Sequence, residues 1–244
     1  MPAAYAHITL VNLLRETPRL DAIEGFPDTA KAAVLKYLTF CELGAVSPDY
    51  PYLALGDRSA KKWADLMHYI QTVEMIRAGV RRLRQMAGEQ QQKCLAWLLG
   101  YAAHVATDMV VHPVVQLRVG PYVGNEKERR ECEMHQDAYV FPRLNVGPIE
   151  LSGYLESGVD QCGSPDDKNM LDTTVVHQLW RDMLAETHPE TYRANAPDIN
   201  KWRRGFRTII ERIASEGGRL IPWARHVAAD LDLAYPAQSQ IDMT

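Results

Sequence analysis

Three residues at steps of four, His104, Asp108 and His112, stand inside an apolar run from Lys93 to Pro113 that has no Lys or Arg after Lys93. On an α-helix a step of four turns about 400°, so the three side chains share one face. All three are metal-ligand types whose N and O donors suit zinc. Read singly, each is a core polar group that needs its own hydrogen-bond partner. Three in register on an otherwise apolar helix favour a metal site, because unpaired buried polar groups are costly. A helix rises ~1.5 Å per residue, so His104 and His112 lie ~12 Å apart along the axis. Zinc–ligand bonds are only ~2 Å long. One ion does not reach both histidines; two ions do, with Asp108 between them and free to bridge. Metal pairs ~3.5–4 Å apart are a recurring device for phosphoester hydrolysis.

The elements that must position this face read as helices. Residues 3–15 have helical spacing, hold His7, and are stopped by Pro18. Residues 28–43 read as a second helix with Gly44 as its C′ residue. In Ser47-Pro48-Asp49-Tyr50-Pro51 the two prolines exclude an α-helix interior, which puts Asp49 on a stiff loop. Taken alone, Asp49 there is turn chemistry. Ser59 is placed to cap a helix carrying Trp63, Met67 and His68, and His68 alone reads as a core histidine. Residues 73–87 carry a basic face of Arg77, Arg81, Arg82 and Arg84, expected to be solvated. Residues 126–141 form a charged helix with His135, one turn after Glu131 and one turn before Tyr139. Residues 142–170 read as a long loop or lid, followed by helices over about 171–187, 198–215 and 219–232. In 201–207, bases alternate with Trp202 and Phe206, which suits an amphipathic helix better than a lipid or nucleic-acid patch. Strand-like alternation is sparse, so the expected class is all-α, a multi-helix bundle with a metal cluster in its core.

With 244 residues, 46% hydrophobic and 24% charged, the chain has material for a full core. Residues 1–141 are expected to form the metal-binding core, with 142–244 packing on the same domain. A net charge of −4 argues against a stable nucleic-acid partner. The stretch 94–115 is long enough to raise a transmembrane reading, but His104, Asp108 and His112 make lipid exposure expensive, and a buried core helix is expected instead. The first residues show no basic region followed by an apolar one. The four cysteines, Cys41, Cys94, Cys132 and Cys162, form no CxxC pair and read as reduced thiols. Both features point to a cytoplasmic protein. Oligomeric state is not legible.

In order along the chain, His7, Pro48-Asp49, His68, His104-x3-Asp108-x3-His112 and His135 resemble the zinc-dependent phospholipase C family, which is related in fold to the fungal single-strand nucleases. Three segments carry the resemblance: Ala6-His7, residues 44–49 and residues 99–113; together they lie within about residues 5–140. The resemblance implies an all-helical fold and two or three Zn²⁺ ions. By position, Asp49, His68, His104 and Asp108 would hold one ion, His112 and His135 a second, and His7 with Asp108 a third. Asp49 also matches the position that orients or deprotonates the attacking water. Two positions depart from the pattern. No processed N-terminal amine is expected beside His7, and Tyr139 stands where the family helix carries a Glu four residues after its His. Of Glu131, Glu133 and Asp137, Glu131 is best placed on an ideal helix to compensate.

The expected activity is hydrolysis of a phosphodiester, in a small phosphoester or a phospholipid, by metal-activated water. A helical phosphohydrolase of the HD type would need an adjacent His-Asp pair, and no His-Asp dipeptide occurs. A helical domain that uses metal only for structure is the non-enzymatic alternative.

Overall fold

The computed structural model describes residues 4–54, 57, 59–121, 123–140, 161–172 and 175–215. Among these residues the fold is helical, and the sole β feature is an isolated bridge between Gly163 and Leu171. The helices are α1 Ala4–Asn12, α2 Thr17–Asp21, α3 Asp28–Lys36, α4 Leu38–Val46, α5 Ala60–Tyr69, α6 Thr72–Leu83, α7 Gly88–Val119, α8 Glu126–Val140, α9 Val176–Thr187, α10 Pro189–Ala194 and α11 Ile199–Ser215. A 3-10 helix, Ser47–Leu53, follows α4 directly.

The 32-residue α7 is the axis of the bundle, and its closest partner is α4. At their crossing the two backbones touch. A Cβ on Gly44 would lie 2.0 Å from the Trp97 carbonyl oxygen, and one on Gly100 would lie 1.9 Å from that of Cys41. Gly44 is therefore inside α4 and serves close helix packing; it does not terminate a helix, as its place after an apolar run suggests. The expected single helix over 28–43 is broken at Tyr37, whose φ of −125° and ψ of 45° turn α3 into α4. The bend lets α4 lie along α7 while α3 also packs on α7.

Asp49 lies on the 3-10 helix and not on an open loop. Pro48 fits its first turn, where no intrahelical N–H is needed, and the tight i→i+3 pattern is used here in one short piece. Ser47 fixes this piece to its neighbours: its hydroxyl donates to Leu43 O at 2.7 Å and accepts from Trp97 Nε1 at 2.9 Å. From the other side, α11 packs on the 3-10 helix and the Phe206 ring stacks on Tyr50 with centroids 4.4 Å apart. Ahead of α5 the capping carboxylate is Asp57, two residues before the expected Ser59. Its Oδ1 accepts from the Ser59 and Ala60 N–H groups at 3.0 and 3.2 Å.

A chain of indoles forms the far side of the core, Trp97 to Trp180 at 5.6 Å and Trp180 to Trp202 at 5.7 Å. Trp202 and Phe206 are thus core residues, as is the aliphatic stem of Arg203. The basic face of α6 is only partly solvated: Arg81 and Arg82 pair with Glu186 on α9, which ties those helices together. Of the expected loop or lid over 142–170, residues 142–160 lie outside the described residues, as does the expected helix over 219–232; residues 161–170 form turns closed by the Gly163–Leu171 bridge.

The crossing makes a clear prediction. Gly100→Ala should cost about 3 kcal/mol, at the upper end for overpacking, because the added methyl meets backbone that cannot step aside. Urea denaturation should show the loss as a lower midpoint; an unchanged midpoint would mean that the two helices can separate freely.

Candidate metal centre

Six side chains from four elements converge. α1 supplies His7, the 3-10 helix Asp49, α5 His68, and α7 His104, Asp108 and His112. Asp108 is the hub. Its Oδ1 lies 3.4 Å from His7 Nε2 and 3.4 Å from His112 Nε2, and its Oδ2 lies 3.4 Å from His104 Nε2 and 3.8 Å from His68 Nε2. Asp49 Oδ1 is 3.3 Å from His68 Nε2. The His7 and His104 rings stack with centroids 3.9 Å apart. Two sets, His7–His104–Asp108 and Asp49–His68–His104, each offer ligand atoms that lie within 4.8 Å of one another.

The tautomers show what this arrangement lacks. His104 Nδ1 is 2.8 Å from Ala45 O and His68 Nδ1 is 2.7 Å from Ala64 O. A carbonyl only accepts, so each Nδ1 carries the proton. In the neutral rings both Nε2 atoms then present lone pairs, and they face each other at 3.0 Å. Two lone pairs at that distance need a proton or a cation between them. Carbonyl-anchored histidines of this kind are the usual way a protein orients a metal ligand. Moreover, His7 Nε2, His112 Nε2, Asp49 Oδ1 and both Asp108 oxygens are buried without a hydrogen-bond partner among the described residues. Groups like these are expensive unless something satisfies them. The donor set, imidazole plus carboxylate, fits zinc.

His135 belongs to neither set; it is half-buried on α8. The helix-wheel expectation for its neighbours is also revised. Glu131 is exposed and faces Lys127 at 3.9 Å. The buried carboxylates of α8 are Glu133 and Asp137. Asp137 Oδ1 accepts from the Ala6 N–H at 2.8 Å, which clamps α8 to the turn of α1 that carries His7. The two anchoring carbonyls, Ala45 and Ala64, leave no trace in the sequence, because any residue supplies a carbonyl.

A family model described as zinc dependent phospholipase C matches residues 6–211. The chain belongs to this family. No curated protein and no solved structure matches the chain. The family match covers most of α1, every helix from α2 to α10 and most of α11, well past the segments that carry the motif residues. A zinc-dependent family and buried His/Asp groups able to hold metal together make a phosphoester hydrolase the supported class.

The cluster has a distinct charge balance. Burial, and then the adjacent His104, pull the His7 imidazole down to about 4 against the attraction of Asp108. Burial opposes ionisation of Asp108, but His104, His112 and His7 outweigh it and hold the carboxyl far below the ordinary range. Asp49 follows the same pattern, with His104 and His68 overcoming burial. His104 moves the other way: burial would lower it, but Asp108 and Asp49 raise it. Both carboxylates are therefore ionised at neutral pH, and His7 is neutral and available to a metal.

Two outcomes follow. Asp108→Asn should lose more zinc than His7→Ala when both folded variants are analysed for metal, since Asp108 touches four imidazoles and His7 stands at one edge. Equal losses would remove Asp108 from its central role. Acid should also destabilise the chelated protein between pH 6.5 and about 4. His7, and to a smaller extent His112, have folded-state values below the unfolded one. In that window the unfolded chain binds protons that the folded chain refuses, so stability falls as pH falls. Asp49 and Asp108 act below that window, and His104, raised, acts above it with the opposite sign. Denaturation midpoints in EDTA at pH 7 and pH 4.5 should differ more for wild type than for His7→Gln.

Proposed function

We propose that the protein hydrolyses the phosphodiester of a phospholipid, with Asp49 as the residue that orients the attacking water. One observation carries the lipid reading. The pocket that exposes His68, His104 and His112 is walled by Met67, Val105, Met109 and Pro113, and it opens beside an uncovered apolar strip of α7. On that strip Met109 is 69%, Val110 70% and Leu117 88% exposed. Apolar area on that scale, rimming a polar site, is the pattern of a surface that meets a lipid or another apolar partner. By length and composition α7 also meets the criterion for a membrane span; the burial of His104 and Asp108 and its packing against α4 make it a core helix with one uncovered end.

Zinc bound among these side chains would polarise the phosphoryl oxygens and make a bound water acidic. The chain's own contribution is placement. Asp49 is kept ionised beside His68, so it can accept a hydrogen bond from a water and hold one lone pair toward phosphorus. Its backbone is fixed by the Pro48 turn and by the Ser47 bonds described above. Asp108 balances the positive charge that collects at the imidazoles. The apolar wall excludes bulk water from the side where acyl-bearing glycerol would lie. Cys41, Cys94, Cys132 and Cys162 are free thiols, which fits the cytoplasmic location we propose.

Asp49→Asn should retain its fold by circular dichroism and, at matched zinc occupancy, lose about 10²-fold or more in kcat, the usual contribution of a positioned base. The substrates are dihexanoyl phosphatidylcholine and bis(p-nitrophenyl) phosphate. Full turnover by the folded, zinc-loaded variant would reject the assignment and favour a structural metal. Turnover of the aryl diester alone would reject the lipid.

A further inference from the structure

Asp49 and His68 stand 3.3 Å apart but come from separate elements, the 3-10 helix and α5. Each is fixed within its own element. Pro48 and the Ser47 bonds hold the 3-10 helix against α4 and α7, and the Ala64 carbonyl holds the His68 ring within α5. Neither sets how far α5 stands from the 3-10 helix. Trp63 and Met67 bury the inner face of α5, but apolar packing is non-directional. A hydrogen bond tolerates only a narrow range of length and angle. One such bond crosses the gap: Tyr52 Oη donates to Asp65 Oδ1 at 2.9 Å.

We propose that Tyr52 is a positioning residue: through its bond to Asp65 it sets the spacing of Asp49 and His68, and so the ligand geometry of the Asp49–His68–His104 set. The inference rests on the metal-assisted hydrolysis proposed above for Asp49. Its basis is register. Tyr52 follows Asp49 by three residues, one turn of a 3-10 helix, so the two side chains lie one above the other. Asp65 precedes His68 by three residues on α5 and shares its face. Asp49 opposite His68 and Tyr52 opposite Asp65 are thus two rungs between the same two elements, one turn apart. The Tyr52 ring also packs on the His68 imidazole, with centroids 5.4 Å apart, so the second rung touches the first. Asp65 is engaged from its other oxygen too, since Oδ2 accepts from Lys61 Nζ at 2.9 Å. That pair survives removal of the phenol oxygen, and the Asp65 side chain is 41% exposed, so Asp65 is not orphaned by the loss. A phenol is protonated at neutral pH and Asp65 offers only acceptors, so the direction of the bond is fixed. In the sequence Tyr52 reads as one more residue of a proline-rich turn, because nothing in its spacing joins it to α5.

Tyr52→Phe keeps the ring against His68 and the Lys61–Asp65 pair while deleting the bond. Zinc-loaded protein should be exposed to rising chelator and the retained metal measured. The step of this curve that belongs to the Asp49–His68–His104 set is the one that Asp49→Asn removes. In Tyr52→Phe that step should move to about tenfold lower chelator, the low end for losing a partner behind a metal ligand. The step that His7→Ala removes should stay in place. Asp65→Ala should match Tyr52→Phe, and the two together should be no worse than either alone. Asp65→Asn keeps an acceptor oxygen and should restore most of the retention. Lys61→Gln spares the bond and should behave as wild type. With zinc saturating, Tyr52→Phe should lower kcat on bis(p-nitrophenyl) phosphate about tenfold and leave KM unchanged. A wild-type step in Tyr52→Phe, an equal shift of both steps, or no zinc to withdraw overturns the positioning role. The two ideas fail separately. A selective zinc shift without phosphodiester turnover keeps the positioning role and removes the hydrolase reading, whereas turnover with unshifted zinc steps does the reverse.

Discussion

The backbone contact between α4 and α7 is the constraint on which the rest of the centre depends. With glycine at 44 and 100 the helices approach until their carbonyls meet the opposing Cα atoms. That approach puts Ala45 O within 2.8 Å of His104 Nδ1 and so decides which ring nitrogen points inward. Once His104 is oriented, Asp108 and His112 follow at one-turn intervals with no further instruction. A side chain at either glycine would hold the helices apart, and the hydrogen bond that sets the tautomer would be lost before any ligand was touched.

Around this contact the protein concentrates polar groups that their neighbours leave incompletely satisfied. Four imidazoles surround Asp108, two lone pairs face each other, and several donors and acceptors have no other partner. A bound cation would stabilise such an interior further; without one, the imidazoles hold Asp49 and Asp108 ionised and burial keeps His7 neutral. Metal binding and folding stability are then the same free energy seen from two sides.

The legible parts of this molecule are its local periodicities. Steps of four displayed the His104–Asp108–His112 face, and helical spacing placed α1, α6, α8 and α11 within a few residues. What was not legible depends on neighbours. Gly44 resembles a helix end because helix–helix distance is not written in any single segment. Ideal-helix geometry favours Glu131 over Asp137, but which face of α8 meets α1 is decided by packing: Glu133 and Asp137 are buried, and Asp137 is the one bonded to α1. The bases and aromatics of 201–207 separate into core and surface only once Trp180 and Tyr50 are in place to receive Trp202 and Phe206. Prolines at 48 and 51 excluded α-helix correctly, yet a 3-10 helix satisfies the same exclusion. The carbonyls of Ala45 and Ala64 have no side-chain signature at all.

The stacking of Phe206 on Tyr50 has a consequence for how the protein is made. Asp49 emerges in the first quarter of the chain, but the helix that braces its 3-10 turn is among the last described segments to be translated. A ribosome-bound chain that has exposed all six convergent side chains still lacks that brace. Secure placement of Asp49 thus waits for α11, and a chain halted before that helix can gather the candidate ligands without bracing the turn that carries Asp49.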